Sequence, residues 1–205
     1  LGVYGIREGD ARLKVTVDSN EDYHFNFDFE NKSGTHGWVG FDSFTTQRQK
    51  FRHEVTHAIN NTLFPTENLK DRTEPWYNTF QEGSAKYASG EVEAGKTGTE
   101  SLRKADGSWE DFVGYDAIMQ RLITNPNKFW EQVNFQVSPF NSPGHLTGLY
   151  LYWALEHEGL TPEKHTVALG KLAEYYKQPG TKTNKEMIQS AYEFALGKNL
   201  NYLFN

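Results

Sequence analysis

The segment Arg52-His53-Glu54-Val55-Thr56-His57 limits how this chain can fold more than any other. Two histidines four residues apart come close enough on one face to share an ion only if the backbone between them is helical, because one helical turn takes about 3.6 residues. The neighbours agree with a helix. Phe51, Val55 and Ile59 recur at the same interval with Ala58 beside them, and neither Gly nor Pro interrupts the run before Pro65. A helix of about 17 residues is expected, with Thr45 or Thr46 as its N-cap.

On such a helix the pattern H-E-x-x-H carries chemistry. His53 and His57 can present imidazoles to one Zn²⁺ at about 2.1 Å, and Glu54, turned by about 100°, reaches water activated by the ion. The chain has no cysteine, so any metal must sit on His, Asp or Glu. Zinc needs a third protein ligand. A His six residues after His57, with a Gly three residues before it, is excluded because those positions hold Leu63 and Asn60. Glu82 is the alternative, on a second expected helix from Trp76 to Ser89 that Pro75 opens and Gly90 closes. Gly83, Ser84 and Ala85 beside it are small, which lets two helices approach closely. Glu67, Asp71, Glu74, Glu91 and Glu93 fall in expected loops and are assigned to solvated surface.

The period before this helix is different. Leu13, Val15 and Val17, then Tyr23, Phe25, Phe27 and Phe29, alternate with polar residues, the signature of strands with one buried face. A polar turn from Asn31 to His36 follows, then a short aromatic segment, Gly37 to Phe41, that suits an exposed edge strand. Downstream, helical patterns cover Trp109 to Ile123, Leu146 to Glu158, Pro162 to Tyr176 and Asn184 to Leu196, the last opened by the capping box Thr183-x-x-Glu186 and stopped by Gly197. Glu91 to Gly107 reads as a surface loop. The expected fold class is therefore α+β: a β-rich N-terminal subdomain with the H-E-x-x-H helix (1–62) and a mainly helical C-terminal subdomain (63–205) in one catalytic domain.

Composition narrows the partners. A net charge of −6 with no basic run argues against nucleic acid. No stretch approaches the ~18 apolar residues of a membrane span, and the first ten residues lack the pattern of a signal peptide. The start at Leu1 is read as a mature form or a piece of a longer protein, so further domains of the same chain are expected as partners. Calcium is a weaker second cofactor, since the acids show no EF-hand-like spacing.

H-E-x-x-H followed by a helix bearing E-G-x-A-x-Y resembles the gluzincin zinc metallopeptidases, the clan of thermolysin and the zinc aminopeptidases. The runs Asp18 to Asn26, Phe51 to His57, Trp76-Tyr77 and Gln81 to Gly90 look more like the peptidase domain of bacterial collagenases. The resemblance implies a thermolysin-like zincin fold, zinc on His53, His57 and Glu82, Glu54 as general base, extended polypeptide as substrate, and secretion from or display on a bacterial cell. It also implies substrate bound along the edge strand at Gly37, Trp38 and Val39 by β-augmentation. Where aminopeptidases of the clan carry an oxyanion-stabilising Tyr, this chain has His145, with Tyr150 and Tyr152 as runners-up.

The expectation is a zinc-dependent endopeptidase that hydrolyses peptide bonds with a metal-activated water and Glu54 as base. Two alternatives stand beside it: a zinc-holding, peptide-binding module without catalysis, and an aminopeptidase of the same clan, although the G-x-M-E-N exopeptidase motif is missing. Asn61, one turn after His57, is a candidate to orient that ligand. His24, His36, His157 and His165 are assigned to the surface by default.

Overall fold

The computed structural model describes residues 14–18, 25–28, 33–37, 44–64, 75–95, 99–103, 108–113, 115–134, 144–177 and 184–204. Three short strands come first: β1 (Lys14–Asp18), β2 (Phe25–Asp28) and β3 (Ser33–Gly37). Two helices then build the candidate site, α1 (Phe44–Leu63) and α2 (Pro75–Ser89). A short α3 (Glu91–Gly95) and a hairpin of β4 (Thr99–Arg103) and β5 (Trp109–Val113) lead to α4 (Tyr115–Thr124) and α5 (Pro126–Asn134). The rest is α6 (His145–His157), α7 (Pro162–Tyr175), α8 (Lys185–Leu196) and α9 (Asn201–Phe204).

The expected α+β division is corrected. Among residues whose side chains are described, 85% are helical and none lies in a strand, so these residues form no β-rich subdomain. The backbone strands near the N-terminus hold four or five residues each. Period-2 alternation reports local backbone only. It says nothing of how much chain joins a sheet, and here the buried apolar mass belongs to the helices.

The strand order also differs from expectation. β3 is central, parallel to β1 and antiparallel to β2, and it occupies Ser33–Gly37, mostly the segment read as a polar turn. Gly37, expected on an exposed edge strand, closes this central strand, where it pairs with Asp18. Trp38 and Val39 lie outside the described residues.

The helix expected over Trp109 to Ile123 is instead β5 followed by α4, and the loop expected over Glu91 to Gly107 contains α3 and β4. Trp109, Phe112 and Val113 satisfy either period. What decides is long-range pairing, with Trp109 opposite Arg103 and Val113 opposite Thr99.

α6 organises the helical core. Every residue from Thr147 to Leu155 is buried, as expected of a helix that is apolar all round. α2 packs along it, α1 packs on α2, and α7 and α8 form a hairpin. Aromatic rings fill much of the space, and two buried indoles find backbone partners: Trp153 Nε1 donates to Val92 O at 2.7 Å, and Trp130 Nε1 to Leu203 O at 2.7 Å. Caps mark the helix starts. Thr161 accepts from Lys164 N ahead of Pro162. Asn184, not Thr183, caps α8 by accepting from Met187 N at 2.9 Å.

His165 departs from its surface assignment. It is 2% exposed, its Nδ1 lies 3.0 Å from the Tyr192 hydroxyl, and that hydroxyl meets Tyr152 OH. Burial pushes its pKa down to about 3, from an ordinary 6.5. The unfolded chain therefore binds this proton below about pH 6.5 while the folded one does not. The stability that His165 contributes is complete above that pH and falls by about 1.4 kcal/mol per unit toward pH 3. Urea unfolding between pH 7 and 4.5 should show His165→Gln losing less stability, relative to its own pH 7 value, than the native chain; parallel pH curves would disprove a buried neutral imidazole.

Candidate metal centre

His53 and His57 lie one turn apart on α1, and Glu82 faces them from the middle of α2. His53 is buried and the other two are partly buried. The two helices are tied by a buried polar cluster in which Asn60 Nδ2 donates to Ser84 Oγ at 2.7 Å and to Gln81 Oε1 at 3.4 Å. Ser84 is completely buried, so a larger residue there would push α2 away from α1.

The donor atoms converge. His53 Nε2 is 3.0 Å from His57 Nε2, and Glu82 Oε2 is 3.4 Å from the first and 3.7 Å from the second. Ligands at about 2.0–2.1 Å from a tetrahedral ion stand roughly 3.3 Å apart, so these three edges fit one cation. Among the described residues, these three form the group of His, Asp or Glu donors, all within 4.8 Å of one another, that could hold a metal ion. Chemistry points the same way. Imidazole nitrogens 3.0 Å apart need a shared proton or a shared cation. Glu82 Oε2 is buried and accepts no hydrogen bond of good geometry, although three imidazole nitrogens surround it. A cation among them would satisfy it.

A fourth residue belongs to this centre. Glu91, at the start of α3, accepts from His53 Nδ1 at 2.9 Å, and is itself held by Lys86 Nζ at 3.1 Å and Ser89 Oγ at 2.9 Å. With its proton on Nδ1, His53 turns the lone pair of Nε2 toward the other donors, as metal-bound histidines do through a carboxylate partner. Glu91 had been assigned to a surface loop. The available signal was Ser89-Gly90-Glu91, a helix stop followed at once by an acid, which returns a carboxylate to the end of α2.

Electrostatics follow from this packing. Burial disfavours charge on His53, but the neighbouring carboxylates of Glu82 and Glu91 outweigh it and raise its pKa to about 9. Burial also works against the Glu82 carboxylate, yet His145, His53 and His57 hold it well below the usual range. Glu91 is lowered to about 2 against burial, chiefly by His53 and Lys86. Glu54, next to His53 and partly buried, is raised by burial, with His57 and His53 opposing.

His145, the first residue of α6, places Nε2 2.9 Å from Glu82 Oε2. It stands outside the group of mutually close donors. Tyr150 and Tyr152, the alternatives to it, are completely buried core residues and cannot meet a substrate. His157 is exposed, with half of its side chain accessible. The side chains of Asn61, His24 and His36 lie outside the described residues.

Among the described residues no helix is long and apolar enough to cross a membrane. No family model, curated protein or solved structure matches the chain.

Proposed function

We propose that the protein is a zinc-dependent endopeptidase. The observation that carries this reading is the convergence of His53 Nε2, His57 Nε2 and Glu82 Oε2 at 3.0 to 3.7 Å, with Glu54 adjacent on the same helix. Two neutral imidazoles and one carboxylate are a zinc donor set that leaves a coordination position open for chemistry. When bound, zinc supplies positive charge that acidifies water and polarises a carbonyl. His53, oriented by Glu91, and His57 hold it without cancelling that charge. Glu82 provides the single negative ligand. Glu54 accepts a proton from the attacking water and passes it to the departing amine, so that neither bond change leaves an unstable ion in the site. The likeness to gluzincins, and to bacterial collagenases in particular, supports polypeptide as the substrate and secretion or surface display as the setting. The missing exopeptidase motif favours internal cleavage.

The test is metal analysis of the purified protein, followed by mass spectrometry of a mixed peptide library incubated with zinc or with chelator. Internal cleavage products that vanish with chelator are expected. Bound zinc without cleavage would instead describe a peptide-binding module, release of single N-terminal residues an aminopeptidase, and failure to bind zinc would end the metal reading altogether.

A further inference from the structure

The packing of α6 on α2 is more constrained than core formation requires. At its start Gly144 has φ 98°, and a Cβ there would fall 2.5 Å from the Asn78 carbonyl carbon. Three residues on, the Thr147 hydroxyl meets the Thr79 hydroxyl at 2.7 Å with both side chains buried. Next, Gly148 lies against Gly83, and a Cβ on it would fall 2.5 Å from Gly83 N. These three locks allow one register and almost no separation between the helices. His145 is between the first lock and the second, and that register sets its Nε2 at 2.9 Å from Glu82 Oε2.

Resting on the zinc reading above, we infer that His145 is a positioning residue: its Nε2, 2.9 Å from Glu82 Oε2, confines the Glu82 carboxylate to the orientation that meets the metal. Geometry separates this role from its alternatives. A fourth ligand would have to approach His53 and His57 as closely as it approaches Glu82. His145 does not, since it is outside the set of donors within 4.8 Å of one another, and its ring centre is 6.1 Å from that of His53 against 4.7 Å between His53 and His57. His145 instead meets Glu82 itself, Nε2 to Oε2 at 2.9 Å. A carboxylate fixed by a donor loses less freedom on binding an ion, and removing such partners of metal ligands commonly weakens metal affinity about 10- to 100-fold.

The experiment is zinc affinity, by competition with a chromophoric chelator, for the native chain, His145→Ala and His145→Gln, with circular dichroism confirming the fold and Co²⁺ absorption reporting the ligand field. His145→Ala is expected to bind zinc about 10- to 100-fold more weakly, with the native Co²⁺ ligand count kept. His145→Gln, which retains an N–H donor, should recover part of the loss. The inference fails if His145→Ala binds zinc within about twofold of native while losing peptide hydrolysis, which would make His145 an oxyanion donor. It also fails if the Co²⁺ spectrum shows a lost ligand. A native chain that binds no zinc would overturn the zinc reading and this inference together, whereas tight native binding unchanged in His145→Ala overturns the inference alone.

Discussion

Glu54→Gln should leave zinc bound and cut peptide hydrolysis by about 10²- to 10⁴-fold, the span ordinarily contributed by a general base. Glu54 is not one of the three converging donors, so the metal has no need of it. It follows His53 on α1, turned about 100° from that residue's direction by helix geometry. Burial raises its proton affinity above that of an ordinary glutamate, and a stronger base is better matched to taking a proton near neutral pH. Gln keeps the size and shape but cannot accept that proton. Metal content by mass spectrometry and kcat/KM on a cleaved library peptide check both halves of the expectation. A Gln variant with full zinc that cleaves within tenfold of the native rate would remove Glu54 from the mechanism.

The three converging donors were legible in the sequence because two are fixed by local geometry and the third by scarcity. His53 and His57 need only a helix, and the uninterrupted run from Thr45 to Phe64 supplies it. Apart from Glu54, already read as the base, Glu82 was the one acid in the region on an expected helix. Glu91 was missed because its role comes from a turn: the chain stops α2 at Ser89 and returns at once beside His53, which periodicity does not report. The β-rich subdomain was over-read from alternating aromatics. Tyr23 to Phe29 promised a long strand, and the strand there is Phe25–Asp28. His165 looked like surface because it has no partner in sequence, whereas its partners Tyr192 and Tyr152 arrive from α8 and α6. The notable glycine of α2 was read as room for α1 to approach, but Gly83 admits α6, and Ser84 serves α1.

That last distinction yields the largest expected effect on stability, and it runs against helix propensity. Gly148 is in the first turn of α6, and within a helix Ala is favoured over Gly by up to about 1 kcal/mol. The space decides otherwise. A Cβ at 148 would fall 2.5 Å from Gly83 N, 2.8 Å from Gly83 Cα and 2.8 Å from Thr79 O. All three are backbone atoms, so no rotamer change relieves the overlap and α6 must move off α2. Overpacking of this kind costs about 1–3 kcal/mol or more, and separating the helices would add the strain of the Thr79–Thr147 bond. Gly148→Ala is therefore expected to lose roughly 2–4 kcal/mol and to lower Tm by about 5–15 °C, since each kcal/mol shifts a domain of this size by about 2–4 °C. Gly170→Ala is the control. That glycine is exposed on α7 with nothing within 4 Å of an added Cβ, so propensity acts alone and Tm should rise slightly. Calorimetry of both variants tests the packing by sign: if Gly148→Ala melts at or above the native temperature, α2 and α6 are not in the close register that delivers His145 to Glu82.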